Sequence, residues 1–205
     1  MENETPTPPV EKANKWNDIK EISTFILEKV PKACQVSNVD FEGPEIVIYT
    51  KNPKAFFSST DNVVGKIAFE LKKKINVRSD KSLLSDPSSA KKIIEGLIPV
   101  EAEVKNITFV DPFCQVVIEA VKPGLVIGKG GETSKSIVLK TGWTPKILRA
   151  PTSDSEFLTG IRYHLNKNAA ERKKFLQETA KKIYRTATSK HDWVRLTGLG
   201  AFREI

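Results

Sequence analysis

The segment Val126-Ile127-Gly128-Lys129-Gly130-Gly131-Glu132 places three glycines and a lysine within four consecutive positions. Glycines at a helix start let the backbone reach positive φ and approach a ligand closely. The unpaired N–H groups of a first helical turn attract phosphate, and Lys129 adds a mobile positive charge. Three phosphate chemistries compete on spacing. A dinucleotide fingerprint, G-x-G-x-x-G read from Gly128, meets Thr133 where its last glycine should stand. A G-x-x-x-x-G-K-[ST] loop is one spacer short between Gly124 and Lys129, with Gly130 in place of the hydroxyl residue. A Gly-x-x-Gly loop between two helices, Gly128 to Gly131, fits; such a loop clamps a single-stranded nucleic-acid backbone.

Other chemistries find little to work with. The two histidines, His164 and His191, cannot supply a His-rich metal centre. The two cysteines, Cys34 and Cys114, lack Cys-x-x-Cys spacing, which excludes a disulfide scaffold and a zinc ribbon. No Ser/His/Asp or Cys/His arrangement offers an active site. No apolar run approaches the ~18 residues of a membrane span, and the N-terminus lacks the basic and apolar regions of a secretory signal. With 39% apolar and 28% charged residues and a net charge of +8, the 205-residue chain has material for a core and a basic surface. A soluble, cytoplasmic protein without a membrane partner is expected.

The glycine loop needs elements to hold it, and the spacing of apolar residues supplies them. Ile19, Ile22 and Ile26 predict a helix ended by Pro31. Val36–Phe41 and Glu45–Thr50 read as strands of a hairpin around Gly43-Pro44. Val64, Ile67, Ala68 and Leu71 form an amphipathic stripe, and Ile75–Ser79 a short strand. After a Ser/Asp-rich connector the order restarts. Ala90, Ile93, Ile94 and Leu97 predict a helix. Ala102–Val110 and Cys114–Val121 predict strands, Ser134 to Thr141 a helix, and Pro145–Arg149 a last strand.

The halves superpose. Ile46 and Val116, Pro53 and Pro123, Ile67 and Ile137, and Val77 and Ile147 are each 70 positions apart. The leading helices align within one residue of that offset, Ile22 with Ile93 and Ile26 with Leu97. Each copy is helix, strand, strand, helix, helix, strand. At the same offset the first copy carries Ser58-Ser59-Thr60-Asp61 where the second has its glycines, with a carboxylate where phosphate would lie.

Beyond the repeat, Leu158, Ile161, Leu165, Ala169, Leu176, Ala180 and Ile183 predict a long basic helix interrupted at Arg172, with Asp154 or Ser155 as its cap. From Asp154 to Lys190 there are nine Lys/Arg against four Asp/Glu. The final stretch from Asp192 to Gly200 reads as a strand entering a Gly-rich turn, the start of a domain whose remainder is missing.

The Ile-Gly-Lys-Gly-Gly loop within this element order resembles a KH domain of the type II (prokaryotic) arrangement. Two such units, the first without Gly-x-x-Gly, resemble the N-terminal region of the archaeal homologues of cleavage and polyadenylation specificity factor, a metallo-β-lactamase/β-CASP ribonuclease family. The ending Trp193 to Ile205 is similar to the first strand and turn of that family's nuclease domain. The resemblance implies an α+β fold with these boundaries: a flexible tail over 1–17, a degenerate KH-like domain over 18–84, a KH domain over 85–152, a basic helical linker over 153–190, and the start of a metallo-β-lactamase-like domain over 191–205.

It also implies a function: binding single-stranded, often U-rich RNA and delivering it to the ribonuclease body for 3′-end processing and transcription termination. The expected RNA contacts are Gly128, Lys129, Gly130 and Gly131, an apolar groove with Val126, Ile127 and Ile137, and Lys135 one turn into the helix. The family's His-x-His-x-Asp-His zinc motif is not present in these residues. The chain itself is therefore expected to be non-catalytic and without cofactor, with zinc in the downstream domain. Expected partners are RNA, that nuclease domain, the transcription machinery and a second copy in a homodimer. The alternative is a stand-alone structural or oligomerisation KH module.

Overall fold

A computed structural model describes residues 18–58, 62–151 and 155–184. The expected tail over 1–17 and the expected domain start over 191–205 lie outside the described residues. The rest is α+β. The first unit runs α1 (Ile19–Lys29), β1 (Val36–Glu42), β2 (Glu45–Thr50), α2 (Pro53–Ser58), α3 (Val63–Leu71) and β3 (Ile75–Ser79). The second runs α4 (Pro87–Leu97), β4 (Val104–Val110), β5 (Gln115–Ala120), α5 (Pro123–Ile127), α6 (Glu132–Thr141) and β6 (Thr144–Arg149).

Each unit builds a three-stranded sheet with its second strand in the centre. The hairpin strands pair antiparallel and the third strand runs parallel to the second, placed there by the helix pair that crosses back over the sheet. One face of each sheet packs on its helices. Ile22, Ile26, Ile46, Ile48, Ile67 and Leu71 fill the first core. Ala90, Ile94, Ile118, Val126, Ile137 and Trp143 fill the second. The buried Trp143 donates its indole N–H to the Ser85 carbonyl at 2.9 Å, so its polar atom is satisfied.

The repeat reaches backbone detail. A left-handed residue ends the turn before each hairpin, Gln35 at φ 45° and Glu103 at φ 53°. Another caps the second crossover helix, Lys72 at φ 52° and Gly142 at φ 76°. The single offset of 70 needs correction, however. The buried face of α1, Ile22 and Ile26, corresponds to Ala90 and Ile94 of α4, 68 positions on, whereas Ile93 and Leu97 are only half-buried. The offset is 68 through the first strand and 70 from the second strand onward. The change falls in the hairpin turn, where Gly43-Pro44 is replaced by the four residues Asp111 to Cys114. Both leading helices are amphipathic, so a slip of three residues also aligned apolar positions.

The expected long basic helix is two helices, α7 (Glu156–Lys167) and α8 (Ala169–Ile183). The break lies at Asn168, not Arg172, because Asn168 leaves helical geometry at φ −94°, ψ 27°. Ser155 caps α7, its side chain accepting from the Leu158 N–H. Nor is the segment only a linker. α8 lies against β1: Gly43 N–H donates to the Leu176 carbonyl at 2.9 Å, and the Tyr184 hydroxyl donates to the Pro44 carbonyl at 2.8 Å. Lys173 reaches both units, donating to the Tyr49 hydroxyl and the Pro112 carbonyl at 2.9 Å each.

Candidate nucleic-acid interface

The glycine loop joins α5 to α6. Pro123 begins α5, where its missing N–H costs nothing, and the helix lasts five residues. Gly128 N–H closes it onto the Gly124 carbonyl at 3.0 Å. At φ 77°, ψ 168°, Gly128 then adopts a conformation reserved in practice for glycine. A Cβ there would also collide with the hydroxyl and backbone nitrogen of Thr133. Gly130 and Gly131 follow at φ 62° and 76°, each facing open space.

The start of α6 is left without a side-chain cap, because Gly131 has none to offer. The Glu132 N–H turns back onto the Lys129 carbonyl, and the amides that follow it meet no capping side chain at the positive end of a ten-residue helix, beside the exposed Lys129. Glu132 in the same turn stabilises the helix by the same dipole and sets a local limit on the positive field.

Lys129 and Lys135 are exposed, as a phosphate contact requires. Val126 and Ile137 are not available: both are fully buried in the second core. Their place in an apolar contact groove is therefore corrected to a place beneath it. A five-residue helix turns one residue squarely inward, and here it is Val126. Ile127, 43% exposed, remains at the surface, joined by Leu125, which the sequence reading missed. The missed signal is that Leu125 and Ile127 flank the one inward position.

The equivalent segment of the first unit, residues 59–61 and the Ser58 side chain, lies outside the described residues. The helix after it is described and differs. Asn62 occupies the α3 N-cap, and its side-chain oxygen accepts from the Gly65 N–H at 3.1 Å. The first unit thus satisfies with its own side chain what the second leaves open.

Among the described residues no group of three or more His, Cys, Asp or Glu could hold a metal ion. Cys34 and Cys114 are buried, and burial raises both thiols above their usual range, away from a reactive thiolate. No helix among the described residues is long and apolar enough to cross a membrane.

Residues 17–84 match the family model described as "Transcription termination factor FttA, KH domain". A KH domain is therefore present, and the unit that matches is the first, not the one with the glycine loop. Over 187 residues the chain is 48% identical to the transcription termination factor FttA of Methanothermobacter thermautotrophicus, covering 91% of this chain and 29% of that protein. With the factor of the same name from Thermococcus kodakarensis the identity is 43%, with the same shares. With that of Lokiarchaeum it is 35% over 188 residues, covering 92% and 30%. The chain spans about 29% of the length of the curated relatives it matches.

Proposed function

We propose that this chain is a tandem KH module that binds single-stranded RNA and presents it to the remainder of a longer archaeal termination factor. In this reading both units, 18–84 and 85–152, are type II KH domains, since each places its third strand parallel to the central one after a helix pair. The second unit binds RNA through Gly128 to Gly131, Lys129 and Lys135, with Ile127 and Leu125 as the exposed apolar surface for bases. The first unit orients or supports it. The observation that carries the reading is the uncapped α6 start behind three positive-φ glycines, beside Lys129.

Delivery to a following β-CASP ribonuclease body, with zinc held there, is the further part of the proposal. It draws support from α7, whose Leu158, Ile161 and Leu165 leave an apolar stripe open beside Phe157 and Phe175. A following domain would cover such a face. The same face supports the alternative, an oligomerisation module that forms a homodimer. The cytoplasm, where the transcription machinery would be met, is the compartment that goes with either.

The test is equilibrium binding of labelled single-stranded RNA, U-rich and mixed, to the 205-residue chain across a salt series, with sedimentation velocity in parallel. Binding that weakens steeply with salt supports the RNA module. A stable dimer that ignores RNA would favour the alternative. Zinc analysis and an RNA cleavage assay on the same sample should show neither stoichiometric metal nor cutting.

A further inference from the structure

The outer faces of the two sheets, away from the glycine loop's helices, enclose a cleft of about 680 Å³ together with α8. Four cations line it: Lys74 and Arg78 from the first unit, Lys146 from the second and Arg172 from α8. Two acids answer them. Glu45 takes Lys74 at 2.6 Å, and Glu42 takes Arg78 through both terminal nitrogens at 2.7 Å. Lys146 and Arg172 remain without an ion pair among the described residues; Arg172 stacks on the Phe113 ring at 4.8 Å. The cleft therefore carries two more positive than negative groups.

Two buried polar atoms of cleft-lining residues find no hydrogen-bond partner among the described residues. Arg78 is 4% exposed, and its end-on pairing with Glu42 uses only the terminal nitrogens, so its Nε–H is unpartnered. The buried Thr144 hydroxyl is unpartnered as well. Both residues line the cleft. An unmet buried donor carries an unrepaid desolvation penalty, and such groups in native proteins are commonly met by a water, an ion or a ligand from outside the chain.

We propose that this cleft binds a phosphate group, gripped by Lys146 and Arg172 and met from within by the Arg78 Nε–H and the Thr144 hydroxyl. A phosphate offers the several acceptor oxygens that two cations and two neutral donors require. Burial and the neighbouring Arg172 and Arg78 guanidinium groups hold the Lys146 pKa below the usual lysine range. A bound anion is the counter-charge that relieves this. The ligand is either a backbone phosphate of RNA that also engages the glycine loop or a free phosphate or nucleotide. Only the first source rests on the RNA reading above.

The experiment is a titration of the isotope-labelled 205-residue chain with inorganic phosphate at constant ionic strength, reading the arginine Nε–H signals by NMR. It is repeated with a short single-stranded RNA. A saturable shift of the Arg78 Nε–H in phosphate, lost in Lys146→Gln and in Arg172→Gln, is expected, and it does not depend on RNA binding. In the RNA arm, the Lys146→Gln variant should lower the slope of log affinity against log salt by about 0.7, one single-strand phosphate. A phosphate shift with an unchanged RNA slope assigns the site to the free ligand. No saturable Arg78 response to phosphate or RNA overturns the proposal, even if RNA binds at the glycine loop. RNA binding lost in Gly130→Asp but not in Lys146→Gln leaves the loop reading standing and removes the cleft from the RNA path.

Discussion

Arg78 and Glu42 meet end-on, each terminal guanidinium nitrogen 2.7 Å from one carboxylate oxygen, with both side chains almost wholly out of water. The pair ties the C-terminal part of β3 to the end of β1 across the face of β2. Phe113 of the second unit lies against the guanidinium, 5.5 Å from its centre to the ring. Each unit thus has its outer face closed in part by the other. Val47 and Tyr49 of β2 pack with Cys114 and Leu84 in the same region.

Removing one member of a buried pair leaves an uncompensated charge, which costs about 3–5 kcal/mol, while replacing both with apolar groups is often near neutral. Glu42→Gln should therefore lower stability by several kcal/mol in urea denaturation, and Glu42→Leu with Arg78→Met should recover most of it. Recovery absent from the double variant would mean that the pair's hydrogen bonds, not its charge balance, hold β1 and β3 together.

The glycines of the loop divide by what they meet. Gly128→Ala places a Cβ against Thr133 and strains the backbone, so it should cost roughly 1–3 kcal/mol. Gly130 faces open space. Lys129→Asp combined with Gly130→Asp should thus keep the circular dichroism spectrum while RNA binding falls at least tenfold. Retained affinity in that double variant would remove the loop from the interface.

Much of this arrangement is legible in residue spacing. Period-3.6 stripes such as Val64, Ile67 and Leu71, and β-branched runs such as Ile46-Val47-Ile48, report packing directly, and their elements fall where expected. Four things escaped that reasoning. The offset of 68 through the leading helices was hidden by amphipathic redundancy. The helix break at Asn168 follows from docking of α8 on β1, a tertiary cause that leaves no local breaker. The burial of Val126 follows from how far a five-residue helix can turn, and that of Ile137 from the inward face of α6, whereas the sequence shows only that both are apolar. The interunit cleft had no local signal at all, since Arg78, Thr144, Lys146 and Arg172 are brought together by the contact of two repeats.

Asp80 gives the chain an acid-sensitive contact. Its carboxylate accepts from the Ser37 hydroxyl at 2.6 Å and from the Ser82 N–H and hydroxyl at 3.0 and 2.8 Å. Those hydrogen bonds, Ser37 first, hold its pKa below the usual aspartate value. The contribution to stability is complete above the unfolded pKa of about 3.9 and is lost as pH falls through the lower folded value. Asp80→Asn should cost about 1 kcal/mol at neutral pH, reduced by solvent exposure, and flatten the decline of stability below pH 4. Thermal melts of both proteins between pH 2 and 7 measure this, and parallel curves would deny Asp80 a part in the acid response.

The two units should separate binding from stability in opposite directions. Asn62 satisfies the start of α3 with its own side chain, so its oxygen occupies the position an external anion would take. Removing it in Asn62→Ala should lower stability by ~1 kcal/mol, the usual worth of such a cap. RNA affinity should stay within about twofold, because this helix end has no role in binding under the proposed function. Polar replacements at Ser59, Thr60 and Asp61 should be equally silent toward RNA. At Gly131 the balance reverses. A Cβ at this half-buried residue, at φ 76°, would face open space, and Gly131→Asp adds a carboxylate at the start of α6 for roughly 1–2 kcal/mol of backbone strain. The same carboxylate fills the uncapped helix start and repels phosphate, so RNA affinity should fall at least tenfold. Denaturation and RNA titration on the two variants give four numbers. Comparable losses of RNA affinity at Asn62 and Gly131 would show that the first unit also contacts RNA, and the assignment of binding to the second unit alone would have to be abandoned.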